Sequence, residues 1–272
     1  MTRLRGRLGN QMFQYAAGRS YAERNKQELF IDTSGLQSRG LTPRYFGLHI
    51  FTLNARIKNF DQVADDSNII VTITQRRRGF HPEIFQVPAC NNTVLEGFWQ
   101  NENYFKEIEP TIRTEFTFKH SRELDTYEVS QRIKSSEAVC LHVRRTDYLM
   151  PQRSGLRFVG VEYYKNAIRM ITSEVQHPHF YIFSDDIDWC KRSLCLSSPH
   201  DFVGHKLYDE NATEVDLYLM TKCSHFIIAN STLSWWGAWL AQSRKKIVIA
   251  PGDWFGSPNS AAHIVPHNWV LI

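Results

Sequence analysis

The second half of the chain alternates short apolar strands with helical segments of ten or more residues, and this pattern restricts the fold more than any other. We predict its strands at Ala138–Val143, Phe180–Phe183, Phe226–Ala229 and Lys246–Ala250. We predict its helices at Glu162–Glu174, Thr213–Cys223 and Thr232–Ala241. Apolar strands separated by such helices form a parallel sheet that is covered on both faces. The sequence therefore predicts an α/β fold.

The first half shows the same pattern less clearly. Gly6 and Gly9 bracket a turn, after which a helix is predicted from about Asn10 to Arg24 and a strand from Glu28 to Ile31. A glycine-containing turn, a helix and a strand make up half of a nucleotide-binding unit. We therefore expect a second α/β unit at this end of the chain.

Composition and charge fit a globular enzyme of two domains. The chain has 272 residues, of which 42% are apolar and 22% are charged. The polar segment His120–Ser136 is the best linker candidate, so we predict domains at residues 1–130 and 131–272. A net charge of +4 suits an anionic small-molecule substrate or a peripheral membrane contact and is too small to indicate nucleic-acid binding. The five cysteines show no zinc-type spacing, and no metal site is predicted.

Two adjacent arginines follow the strand Ala138–Val143, in the stretch EAVCLHVRRTDY. Side chains alternate along a strand, so His142 and Arg144 point to the same face, while Arg145 lies past the apolar run. Ligands of open α/β sheets bind beyond the carboxyl ends of the strands. Two planar guanidinium groups there suit a phosphate or diphosphate. The alternative is a pair of surface arginines in ion pairs, and the residues alone favour neither reading.

Two further strand ends carry polar side chains. One reads Ser184-Asp185-Asp186, and the other reads Ala229-Asn230-Ser231-Thr232 and leads directly into a helix. Hydroxyl groups and the free N–H groups of a helix amino terminus together form a phosphate site. The simpler reading is that Ser231 or Thr232 only caps the helix, which is compatible with phosphate binding. We expect these ends to meet the arginine pair.

Asp216 has two interpretations. Thr213 and Asp216 have the spacing of a capping box, and that spacing alone favours a cap at the start of the helix. The alternative is a carboxylate that accepts hydrogen bonds from the N1 and N2 edge of guanine. Trp235, Trp236 and Trp239 are spaced for packing in the core, and we assign them no chemistry.

Several blocks together resemble one family. HVRRTDY is similar to the H-x-R-R-x-D-Y signature of the α-1,2-fucosyltransferases of glycosyltransferase family eleven. Four more blocks are similar to segments of that family, in the same order: GRLGNQMFQYAAG, LEGFWQNENYF, FYIFSDD and HFIIANSTLSWWGAWLA. They span nearly the whole chain, so the resemblance is specific although each block alone would be weak.

The resemblance implies a GT-B-like fold, in which two Rossmann-type domains face each other across a cleft. The first domain would be on the acceptor side, and the second would bind the GDP-sugar. GDP-β-L-fucose would be the sugar donor and the 2-hydroxyl of a terminal galactose the acceptor, with inversion at the anomeric carbon and without metal or cofactor. The alternatives are transfer of another sugar, such as mannose from GDP-mannose, and a non-catalytic glycan-binding paralogue.

The resemblance also implies roles for residues at matching positions. Arg144 and Arg145 would hold the diphosphate, with Arg145 stabilising the departing charge. The remaining positions expected at the sugar-donor site are Asp185, Asp216 as the reader of guanine, Asn230, and Ser231 and Thr232 as phosphate ligands. Gly9 and Asn10 would lie near the donor phosphate or the acceptor.

The general base is the least determined role. Asp147 is closest in sequence to the arginines, but their charge would stabilise its ionised form and weaken it as a base. Asp147 would then orient Arg145 or a sugar hydroxyl. Glu162 is the second candidate and His142 the third.

Two departures from the family pattern bear on the identity of the acceptor. Arg7 stands where the family has the second glycine of a pair, and the loop Leu149–Val161 differs from the family's forms, so the acceptor is less determined than the sugar donor.

Animal members carry an amino-terminal membrane anchor, and no apolar run here approaches the ~18 residues of a membrane span. We therefore expect a bacterial, cytoplasmic protein that contacts the inner membrane to reach a lipid-linked glycan.

Overall fold

A computed structural model describes residues 1–37, 45–58, 71–88, 93–149, 157–203 and 212–272. The chain forms two compact units, Met1–Lys119 and His120–Ile272. The division lies eleven residues before the boundary expected after residue 130. The loop Leu149–Val161 and the segment before Ala212 fall partly outside the described residues.

The described part of the first unit contains a parallel sheet of five strands in the order β3-β2-β1-β5-β4. The strands are β1 Thr2–Arg3, β2 Phe30–Asp32, β3 Arg56–Ile57, β4 Val71–Thr74 and β5 Thr93–Glu96. The short, charged β1 is the central strand. It is stabilised by a salt bridge from Arg3 to Asp32 of β2, at 2.7 Å.

Helix α1, Leu8–Arg24, begins two residues earlier than predicted and is buried on nearly every side. Gly6 before it has φ +78°, and a Cβ there would lie 2.5 Å from Nδ2 of Asn10, so this turn requires glycine. Arg7 is the N-cap, with φ −89° and ψ 176°. That extended conformation suits any residue, which explains how the chain accommodates arginine in place of a second glycine. Helix α2, Glu109–Glu115, has proline in its first turn, as predicted.

The second unit contains a parallel sheet of six strands in the order β11-β10-β9-β6-β7-β8 among the described residues. The strands are β6 Glu137–Val143, β7 Pro178–Ser184, β8 His200–Val203, β9 His225–Ile227, β10 Val248–Ala250 and β11 Val270–Leu271. The described helices are α3 Ser121–Leu124, α4 Glu128–Lys134, α5 Val161–Glu174, α6 Ile187–Ser193, α7 Ala212–Lys222 and α8 Thr232–Leu240.

The segment His120–Ser136 is part of the second unit and not an extended linker. It forms α3 and α4, and Val129 and Ile133 of α4 are buried. The hydroxyl of Tyr218 on α7 donates a hydrogen bond to the carbonyl of Ser121 at 3.1 Å and also contacts Asp125. Two apolar residues one turn apart are enough to attach this otherwise polar segment to the unit.

The core of the second unit lies between the sheet and its helices. Val139, Leu141 and Val143 of β6 are fully buried in one apolar cluster with Tyr164 and Ile171 of α5. Trp235, Trp236 and Trp239 of α8 pack against one another in the core, as predicted. In the described ranges, no helix has the length and apolar character needed to cross a membrane.

Candidate active site

The carboxyl ends of three neighbouring strands form the candidate site. β9, β6 and β7 are adjacent in the second sheet, so the residues that follow them lie at one edge. These are the arginine turn after β6, the acidic turn after β7 and the start of α8 after β9. The convergence that the sequence predicted is present in the structure.

Arg144 is held by two carboxylates. Its Nε donates a hydrogen bond to Oδ1 of Asp147 at 2.8 Å, and its Nη1 lies 3.2 Å from Oδ2 of Asp185. Asp147 is buried, with 7% of its surface exposed. We considered Asp147 as a partner of Arg145, but its ion pair is with Arg144. The two carboxylates therefore fix the orientation of the Arg144 guanidinium group.

Arg145 is held by a carboxylate and two aromatic rings. Its Nη1 donates a hydrogen bond to Oδ2 of Asp186. Its guanidinium carbon lies 5.3 Å from the ring centroid of Trp189 and 5.8 Å from that of Phe158. Guanidinium groups are attracted to aromatic faces at such distances. Arg145 is therefore kept in one orientation before any ligand binds.

Asp185 joins the two arginines. Its Oδ1 accepts from the backbone N–H of Arg145 at 2.9 Å, and its Oδ2 accepts from the hydroxyl of Thr146 at 2.6 Å. Burial acts to raise the pKa of Asp185, but the Thr146 hydrogen bond, the charge of Arg144 and the Arg145 N–H outweigh it and hold that pKa below its ordinary value. Asp185 is therefore ionised at neutral pH, and its contacts orient the arginine turn.

The charges of this cluster do not balance. Arg144 and Arg145 carry two positive charges, and Asp147, Asp185 and Asp186 carry three negative ones, which leaves a net charge of −1. The sequence placed Asp186 at a strand end expected to meet the arginines, while Trp189 and Phe158 were not predicted as site residues. The doublet Asp185-Asp186 at the end of a strand was the available signal.

The start of α8 supplies N–H groups beside the arginine turn. Ser231 is the N-cap by position, but its side chain makes no capping hydrogen bond. The reading of Ser231 as a simple cap is therefore wrong. Thr232 is the first helical residue, and both side chains are partly exposed. The first N–H groups of such a helix lack intrahelical partners and favour an anion.

His142 is tied to the first turn of α8. Its Nδ1 lies 2.8 Å from Oγ of Ser234, and that hydroxyl contacts the carbonyl of Ser231 at 3.3 Å. His142 is 5% exposed and Ser234 is fully buried. These contacts make His142 a positioning residue for the helix start, a role that sequence reasoning missed.

Asn230 connects three loops. Its Nδ2 donates hydrogen bonds to the carbonyls of Arg157 at 3.0 Å and Trp254 at 3.1 Å. The backbone carbonyl of Asn230 accepts a hydrogen bond from the hydroxyl of Tyr148 at 3.0 Å. Both amide protons are thus used within the protein, and Asn230 fixes the loops around the start of α8.

Asp216 lies inside α7. Because the helix begins at Ala212, Thr213 and Asp216 are both helical, and the capping-box interpretation is wrong. Asp216 is 5% exposed, and burial raises its pKa to about 7. Its charge adds to the rise in the pKa of the Cys140 thiol on β6, which burial and Cys223 mainly cause. The reading of guanine by Asp216 stays a prediction.

The three candidates for the base lie in different surroundings. Asp147 and His142 are buried and hydrogen-bonded, as described above. Glu162 is on the first turn of α5, with 71% of its side chain exposed and a 2.9 Å ion pair to Lys165. The surface ion pair explains the position of Glu162, and the assignment of the base stays a prediction for all three residues.

Gly9 and Asn10 lie in the first unit, within the first turn of α1. Oδ1 of Asn10 accepts a hydrogen bond from Nε2 of Gln100 at 2.8 Å. This contact joins two of the family-like blocks within the first unit. The expected roles of Gly9 and Asn10 toward the sugar donor or the acceptor stay predictions.

The chain has two α/β units, each built on a parallel sheet, and the second unit carries paired arginines beside a helix amino terminus. This combination defines a GT-B-like glycosyltransferase. The family model described as Glycosyl transferase family 11 matches residues 1–272, and the chain belongs to that family. The expectation of this family from the sequence blocks is confirmed.

Named relatives cover nearly the whole chain. An α-1,2-colitosyltransferase of Escherichia coli is 33% identical, over 100% of this chain and 98% of its own length. The O-antigen biosynthesis glycosyltransferase WbnK of Escherichia coli is 28% identical, over 98% of both chains. The galactoside 2-α-L-fucosyltransferase Sec1 of Mus musculus is 26% identical, over 97% of this chain and 69% of its own.

Solved structures show the same fold. The fucosyltransferase NodZ from Bradyrhizobium matches with a TM-score of 0.54 and 16% identity, over 88% of this chain and 90% of that one. FUT1 of Arabidopsis thaliana matches with a TM-score of 0.53 and 11% identity, over 91% and 69%. At these identities the likeness shows the fold alone.

Proposed function

We propose that the protein transfers L-fucose from GDP-β-L-fucose to the 2-hydroxyl of a terminal galactoside, with inversion and without a metal. The arginine turn, held beside the start of α8, is the observation that carries this proposal. It combines fixed positive charge with N–H donors at the edge where ligands of parallel sheets bind. The naming of Sec1 as a galactoside 2-α-L-fucosyltransferase supports the sugar and the linkage.

In the proposed reaction the acceptor hydroxyl attacks the anomeric carbon of fucose. The bond from that carbon to the β-phosphate oxygen breaks, GDP leaves with the electron pair, and a base takes the hydroxyl proton. Charge grows on the anomeric centre, as in glycoside hydrolysis, and on the leaving diphosphate.

The leaving diphosphate would be stabilised by groups that are already oriented. Arg145 would meet the growing charge, Arg144 would hold the diphosphate, and Ser231, Thr232 and the first N–H groups of α8 would contact phosphate oxygens. Removing one such preorganised donor typically costs about 3–4 kcal/mol of transition-state stabilisation. Asp147, Asp185 and Asp186 keep the arginines in place.

A second sugar has a specific observation in its favour. The relative that is 33% identical over the whole chain is named an α-1,2-colitosyltransferase, and colitose is L-fucose without the 3-hydroxyl. A GDP-colitose donor would place the same diphosphate on the same arginines. The two candidates therefore differ in the contacts made to the sugar ring.

The test is transfer by the purified protein. GDP-fucose, GDP-colitose and GDP-mannose would each be incubated with a panel of galactosides, and the linkage of the products would be determined. The proposal expects a 2-linked α-L-fucoside and faster turnover of GDP-fucose. Preference for GDP-colitose would establish the second candidate. Failure to bind GDP in isothermal titration would overturn both, and with them the whole transferase assignment.

A further inference from the structure

The paired arginines do not by themselves make an anion site. Arg144 and Arg145 face Asp147, Asp185 and Asp186, and the five side chains together carry a charge of −1. A nucleoside diphosphate carries at least two negative charges of its own. Like charges at this range repel, and burial strengthens the repulsion. Further positive charge beside the two arginines and the N–H groups of α8 would therefore favour a diphosphate here.

Arg157 and the residue after it contact both the residue that precedes the N-cap of α8 and the arginine turn. Its carbonyl accepts the 3.0 Å hydrogen bond from Asn230, the residue that precedes Ser231. The next residue, Phe158, places its ring 5.8 Å from the guanidinium carbon of Arg145. The pair Arg157–Phe158 is therefore in contact with both parts of the predicted phosphate site.

The side chain of Arg157 runs beside the turn that follows β10. Its Cδ lies 3.6 Å, and its Nε 3.7 Å, from where a Cβ on Gly256 would stand. Gly256 has φ +76°, a conformation that favours glycine, and the missing side chain leaves room for the arginine stem. Arg157 is exposed, and no carboxylate among the described residues forms an ion pair with it. Its charge is therefore available to a ligand.

We propose that Arg157 is a third arginine of the sugar-donor site and binds the diphosphate together with the start of α8. The inference rests on the proposed function and adds a residue to its site. Asp147, Asp185 and Asp186 neutralise the two arginines of the arginine turn, which orient the leaving diphosphate. Arg157 supplies the positive charge that attracts the diphosphate. Arg157 then contributes mainly to affinity for GDP and its sugars.

Isothermal titration with GDP and with guanosine tests this assignment, because guanosine lacks both phosphates. Charge-assisted hydrogen bonds contribute about 1.5–3 kcal/mol, so Arg157→Ala is expected to weaken GDP binding by roughly 10-fold to 100-fold. Guanosine binding is expected to stay as in the wild type. Arg169→Ala is the matched control, since Arg169 is an exposed arginine of α5 bonded to Asn166.

The outcomes separate this inference from the proposed function. Wild-type protein that fails to bind GDP overturns both. Wild-type affinity for GDP in Arg157→Ala overturns the inference alone, as does an equal loss for GDP and guanosine. Arg157→Gln, which keeps the stem beside Gly256, replaces Arg157→Ala if thermal unfolding shows that the alanine variant is not folded.

Discussion

Arg145 shows how a single residue can be oriented before its ligand arrives. Its guanidinium group is fixed by Asp186 on one edge and by the rings of Trp189 and Phe158. Lysine keeps the charge but has neither the planar fork nor the stacking surface. We therefore expect Arg145→Lys to lose roughly 100-fold to 1,000-fold in kcat, the typical cost of one preorganised donor.

Steady-state kinetics with saturating acceptor would measure that loss, and Arg169→Lys on α5 is the control for the same exchange at an exposed site. The thermal unfolding midpoint of each variant separates lost catalysis from lost folding. A folded Arg145→Lys enzyme that kept most of its turnover would show that the fork geometry is not needed.

The pKa of Asp216 leads to a prediction about how GDP binding depends on pH. Burial raises its pKa to about 7, and only the ionised carboxylate can accept both hydrogen bonds from guanine. The affinity for GDP should therefore increase as the pH rises from 6 to 8, because the fraction of ionised Asp216 increases through about 7. Asp216→Asn, which cannot ionise, should bind GDP weakly and without this dependence.

Titration of GDP binding over that pH range, with Glu214→Gln on the same helix as control, would measure the effect. Identical pH profiles for the wild type and Asp216→Asn would remove Asp216 from the reading of guanine. Asp216 would then be a buried acid with no role in nucleotide binding.

At the scale of elements, the start of α8 depends on a side-chain link to β6. Ser234 connects Nδ1 of His142 with the carbonyl of Ser231. Ser234→Ala leaves the buried imidazole without this partner, which typically costs about 1–3 kcal/mol of folding stability. The first turn of α8 also loses its attachment, so KM for the sugar donor should rise.

Urea unfolding gives the stability change, and Ser173→Ala on the exposed face of α5 is the control. A stability equal to that of the control, together with an unchanged KM, would show that the link does not position the helix.

Elements could be predicted where apolar residues run continuously. β6 and β7 are buried along almost their whole length, and both were predicted from the sequence. β8 and β11 were missed because β8 has only one buried residue and β11 has two exposed ones. Such edge strands are determined by their pairing with a neighbour, which a local pattern does not contain.

The arginines of the candidate site could be predicted from the sequence, but their pairing with carboxylates could not. Arg144 and Arg145 stand out because charge follows directly on an apolar strand. Their partners Asp185 and Asp186 come from another strand about forty residues away. Which of these carboxylates pairs with which arginine depends on the register of β6 and β7, so the structure was needed to assign Asp185 to Arg144 and Asp186 to Arg145.

At the scale of the whole molecule, each unit is a parallel sheet with family-like blocks at its strand ends. The proposed mechanism meets the charge of the leaving diphosphate with arginines and helix N–H groups. We therefore expect turnover to stay within about twofold of its normal value in excess EDTA, since no Lewis acid is required. An assay of fucosyl transfer with and without chelator would measure this, and activity that returned only with Mg²⁺ or Mn²⁺ would contradict it.

The excess of carboxylates around the arginine turn also has a consequence for the end of the catalytic cycle. GDP that remained on two uncompensated arginines would be held tightly, and each turnover would wait for it to leave. With Asp147, Asp185 and Asp186 bonded to the same guanidinium groups, the protein already satisfies part of their charge once the sugar has gone. In the proposed mechanism we therefore expect the carboxylates to compete with the spent nucleotide for the arginines and to speed its release.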